Sequence, residues 1–117
     1  MENSSDSPSS SSSPFAEKRE VPRFSFIAAV TIVEPTTNMR IDGRISEISR
    51  KGCYVDVLNT LPVGTHIELT VTRDQGVFFT PGRIIYVQEG IGMGVAFAGM
   101  PENQLKTLDS WLAELHS

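Results

Sequence analysis

Two arginines four residues apart, Arg19 and Arg23, are followed after roughly one strand pair by the run Glu47-Ile48-Ser49-Arg50-Lys51-Gly52. A guanidinium is a planar fork of donors that pairs with two acceptors at once, stacks on a flat ring or neutralises a phosphate. A carboxylate, a small hydroxyl and a glycine close together in sequence make a turn that can accept hydrogen bonds and let backbone approach closely. Brought together, these groups suit one planar, anionic ligand.

The rest of the chain must position them. Phe24 to Val33 is apolar and β-branched and stops at Glu34-Pro35, so it reads as a strand. Thr36-Thr37-Asn38 makes a turn. Met39 to Ser49 and Cys53 to Leu58 are further strands, and the stretch from Asn59 to Gly64, with Pro62, is a loop. His66 to Thr72 alternates, with Ile67, Leu69 and Val71 on one face and His66, Glu68, Thr70 and Thr72 on the other. Arg73-Asp74-Gln75-Gly76 is a hairpin-like turn. Val77 to Val87 is a long strand in which Pro81-Gly82 predicts a bend or bulge, and Gly92 to Phe97 supplies the last strand. The period then changes: Leu105, Leu108, Leu112 and Leu115 form one stripe of a helix, with Pro101 suited to its first turn. The expected fold is mainly β: a six-stranded antiparallel β-barrel, closed or nearly closed so that exposed edges are removed, with a C-terminal α-helix.

Bulk composition narrows the function. At 117 residues the chain is one domain's worth. Residues 1–14 are serine-rich and carry no hydrophobic residue beyond Met1, which predicts a disordered tail ahead of a domain over 15–117. A formal net charge of −4 disfavours nucleic acid as partner, despite the local cluster of Lys18, Arg19 and Arg23. The single Cys53 excludes an internal disulfide and a cysteine-based zinc site, and reads as a small packing residue. His66 and His116 stand isolated and suggest neither metal nor triad. Gly90-x-Gly92-x-Gly94 precedes a strand instead of a helix and lacks the context of a phosphate loop. Trp111 reads as packing. With no apolar leader and no run long enough for a membrane span, the expectation is a cytoplasmic protein, monomeric or weakly dimeric through its leucine stripe.

The segment Lys-Arg-Glu-Val-Pro-Arg-Phe, followed by a strand and Ile-Ser-Glu-Ile-Ser-Arg-Lys-Gly-Cys-Tyr-Val, resembles the PilZ domain. That family binds the bacterial second messenger cyclic di-GMP through R-x-x-x-R and [D/N]-x-S-x-x-G motifs. Here the first is Arg19-x-x-x-Arg23 and the second is Glu47-x-Ser49-x-x-Gly52. The resemblance runs from about Lys18 to the final helix and takes in Gly92-Met93-Gly94-Val95-Ala96-Phe97. It implies a non-catalytic receptor with no cofactor, acting through a downstream protein that the sequence does not identify. It also implies that Arg19 and Arg23 lie ahead of the first strand, on a segment that orders over the ligand. Lys18, basic beside the first motif, bears on ligand stoichiometry. Guanine offers O6 and N7 to a guanidinium fork, and a carboxylate at Glu47 suits its N1–H and N2 amine. Ser49 can offer its hydroxyl or simply bond local backbone. Gly52 is expected to permit a positive-φ turn with close backbone approach. One residue departs from the family: Glu47 stands where Asp or Asn is usual. A stretched charge-assisted hydrogen bond costs roughly 1.5–3 kcal/mol, about tenfold to a hundredfold in affinity. The other reading is therefore a protein-interaction adaptor on the same barrel, with nucleotide binding weakened or lost.

Overall fold

The computed structural model describes residues 23–74 and 76–116. Six strands follow one another: β1 (Arg23–Glu34), β2 (Met39–Ser49), β3 (Gly52–Asp56), β4 (His66–Arg73), β5 (Gly76–Gln88) and β6 (Gly92–Phe97). Among the described residues one helix, α1 (Glu102–His116), follows the strands. The strands form a closed barrel in the order β1-β2-β3-β6-β5-β4, every neighbouring pair antiparallel. Closure leaves no free sheet edge to recruit other chains. Among the described residues no helix is long and apolar enough to cross a membrane.

Alternation decides which side chains fill the barrel. Phe26, Ala28, Val30 and Ile32 of β1 point inward, as do Ile67, Leu69 and Val71 of β4 and Met93 and Val95 of β6. Cys53 is fully enclosed, and burial pushes its thiol up to about 12. Strand β2 breaks the alternation, because Ile45 and Ile48 are an odd number of residues apart and yet both are fully buried. A bulge resolves this: Ile45 pairs with Val55 and Glu47 with Tyr54, so Ser46 is the extra residue. The slip brings both isoleucines into the core and turns Glu47 outward.

The helix covers the stretch of β5 that β6 does not reach. Leu108 is fully buried, Trp111 nearly so, and Leu105, Leu112 and Leu115 pack against the core from its margin. The Trp111 ring lies 5.8 Å from that of Phe26 and 5.3 Å from that of Phe78, as befits a packing residue. Pro101 stands one position ahead of the helix, and its carbonyl accepts from the N–H groups of Gln104 and Leu105. The Gln104 side chain in turn accepts the Phe79 N–H at 2.8 Å. That N–H lies on the side of β5 left open by β6, as does the missing donor of Pro81.

Three expectations shift. The predicted distortion at Pro81-Gly82 is absent from the β4–β5 pairing, which runs unbroken from His66↔Arg83 to Arg73↔Gly76. The irregularity in β5 falls later, against β6, between Ile84 and Tyr86. The third strand ends at Asp56 instead of Leu58, whose side chain is 80% exposed. Arg23, expected ahead of the first strand, is its first residue, paired with Ser49.

Candidate functional site

The site is built where β1 begins and β2 ends. Antiparallel register sets Arg23 opposite Ser49 and Ser25 opposite Glu47, with Ser25 exposed, Arg23 and Glu47 partly exposed and Ser49 buried. A diagonal across this pair separates Arg23 from Glu47, and the longer glutamate side chain spans it. Arg23 Nη1 donates to Glu47 Oε1 at 2.6 Å. Both side chains are half-buried, at 26% and 36% exposure, so the pair is only partly screened by water.

The turn that follows is held by Ser49. Its side chain is buried, and Oγ accepts from the N–H of Lys51 at 3.1 Å and of Gly52 at 3.3 Å. The hydroxyl also lies 3.4 Å from the Gly52 carbonyl. Of its two readings, the structure shows the local one: Ser49 satisfies the backbone of its own turn. Of the two reasons expected for Gly52, a positive-φ turn and close backbone approach, the structure shows the second. Gly52 is absent from the positive-φ glycines, which are Gly64, Gly90 and Gly99 among the described residues. Instead it lies against β6, where an added Cβ would sit 2.2 Å from the Val95 carbonyl oxygen. Close backbone approach, not turn handedness, excludes a side chain here.

Arg50, between the two motif positions, reaches the helix. Its Nε donates to Asp109 Oδ1 at 3.0 Å, and this pairing raises its already high pKa. The turn is thus tied to α1. Sequence reasoning gave Arg50 no role, since its partner lies 59 residues away.

The structure therefore brings together Arg23, Glu47, Ser49 and Gly52. Lys18 and Arg19 lie outside the described residues. Tyr54 is an addition: it stands directly opposite Glu47 on β3. No motif marks it, and only the bulge at Ser46 puts the two in one row. A groove lined by Gly43, Arg44, Asp56, Val57, Leu58 and Ile91 contains none of these residues. Among the described residues, no group of three or more His, Cys, Asp or Glu gathers as a metal site would require.

Known structures resemble this barrel closely. The PilZ domain of YcgR from Escherichia coli, solved with c-di-GMP, superposes with a TM-score of 0.71 at 16% identity, covering 86% of this chain and 92% of that one. The Bacillus subtilis inhibitor of motility MotI/DgrA gives 0.68 at 13% identity, over 86% of this chain and 53% of that one. The PilZ domain of CeSA from a cellulose-synthesizing bacterium gives 0.65 at 17% identity, over 82% and 99% respectively. These likenesses establish the fold. No curated protein sequence matches the chain. The sequence model of the PilZ domain matches residues 17–114, nearly the whole of the barrel and helix, and the chain belongs to the PilZ domain family.

Proposed function

We propose that this domain is a receptor for cyclic di-GMP that performs no chemistry on it. The observation that carries the reading is the Arg23–Glu47 pair, held at 2.6 Å on the outer face beside the Ser49–Gly52 turn of a PilZ domain. A guanidinium and a carboxylate so placed match the two edges of guanine: acceptors O6 and N7 on one, donors N1–H and N2 on the other. Arg19 and Lys18 would add charge for the phosphates. Ser49 and Gly52 serve by shaping the turn that presents Glu47. The ligand found with the YcgR domain supports the same assignment. Arg23 begins β1, and the segment ahead of it in sequence carries Lys18 and Arg19. Ordering of that segment over the ligand would alter contacts with a downstream protein in the bacterial cytoplasm.

A second reading has its own observation. Glu47 satisfies Arg23 without any ligand, so the two recognition groups neutralise each other. A barrel in that closed state would act as a protein-interaction adaptor. Calorimetric titration with cyclic di-GMP, with GTP as control, separates the two. Saturable binding selective for the cyclic dinucleotide supports the receptor; no heat and no competition at high ligand concentration support the adaptor.

A further inference from the structure

The outer face beside Glu47 carries an aromatic ring that neither motif accounts for. Along one row of the barrel stand Ser25, Glu47, Tyr54, Gly94 and Tyr86, each opposite the next on β1, β2, β3, β6 and β5. Directly opposed side chains in an antiparallel pair have Cβ atoms about 4.5–5.5 Å apart, so Tyr54 begins within reach of whatever Glu47 holds. The Tyr54 side chain crosses onto β6, where Gly92 leaves the backbone bare. A Cβ at Gly92 would stand 2.7 Å from both Cε2 and Oη of the ring. At its tip the phenol donates to Gln88 Oε1 on β5. The ring is thus seated on glycine and pinned at its far end, yet the residue remains partly exposed.

We propose that Tyr54, rooted on the strand next to the carboxylate that reads the base's edge, is a stacking platform for a purine of the bound dinucleotide. This rests on the receptor reading of the same site. A base whose edge meets Glu47 extends across β3, about 4.7–4.9 Å away, towards β6, where the Tyr54 ring lies against Gly92. A tyrosine already immobilised by Gly92 and Gln88 loses little rotamer freedom on binding, which favours it over a loose aromatic. Burial, then Asp56 and Tyr86, hold its hydroxyl above the usual tyrosine range. The ring therefore stays neutral and offers no negative charge to the phosphates.

The test is titration of the full chain with cyclic di-GMP, comparing wild type with Tyr54→Phe and Tyr54→Leu, with thermal midpoints to verify folding. Stacking predicts that Tyr54→Phe stays within about twofold of wild type, while Tyr54→Leu loses about five- to a hundredfold. It also predicts upfield ring-current shifts of the Tyr54 ring protons in the wild type at saturation. Equal affinity in Tyr54→Leu overturns the platform and leaves the receptor standing. Unshifted ring protons at saturation overturn it too, even if the leucine variant fails to fold. Absence of wild-type binding overturns the receptor reading, and the platform falls with it.

Discussion

The ion pair between Arg23 and Glu47 turns on a single methylene. An aspartate at position 47 would draw its oxygens back from the diagonal that glutamate spans at 2.6 Å. Partly exposed pairs of this kind are worth about 0.2–1 kcal/mol, so the competition they present to a ligand is modest. Glu47→Asp is expected to tighten cyclic di-GMP by up to about fivefold, as Arg23 is released. Unchanged or weaker affinity by calorimetry would show that the carboxylate is not what restrains the site. Arg23, Glu47, Ser49 and Gly52, which the structure brings together, could be singled out from type and spacing because each motif is local in sequence. The ion pair was not legible, since it depends on a register 24 residues apart in the chain. Close backbone approach at Gly52 was expected, but not its partner, a β6 carbonyl more than forty positions downstream.

At the scale of elements, the strands were readable wherever alternation was clean, as in Ile67, Leu69 and Val71, and the helix wherever leucines recurred at helical spacing. What escaped were bulges. The sequence Ile45-Ser46-Glu47-Ile48 carries no turn residue, and only closure of the barrel forces both isoleucines inward. Pro81-Gly82 looked disruptive, yet the β4–β5 register stays unbroken, and the proline stands just before β5 begins to pair with β6, where its missing donor breaks no ladder bond. The β3–β6 contact at Gly52 gives this scale its test. Gly52→Ala pushes a methyl into backbone that cannot move like a side chain, and should cost about 2–3 kcal/mol by urea denaturation. A loss below about 0.5 kcal/mol would mean the strands separate there without penalty.

Across the whole molecule, the barrel's outer turns carry polar devices unrelated to the ligand. At the β1–β2 turn, Glu34 accepts from the Thr37 hydroxyl at 2.6 Å, the Thr37 N–H at 2.8 Å and the Thr36 N–H at 3.0 Å. The Thr37 side chain foremost, then the two backbone donors, lower its carboxyl from 4.5 to about 2. A depressed folded pKa means the carboxylate stabilises the fold fully above pH 4.5, and that contribution disappears as pH falls towards about 2. The stability gap between wild type and Glu34→Gln should therefore shrink through this window in urea titrations. A gap independent of pH would refute the assignment.

The most direct test of the central claim, that the outward pair on β1 and β2 recognises the ligand, is calorimetry of Arg23→Ala against wild type with cyclic di-GMP. Arg23 lies outside the core, so its removal should leave the thermal midpoint close to wild type while weakening binding at least about tenfold. Equal affinity in a folded variant would contradict the account.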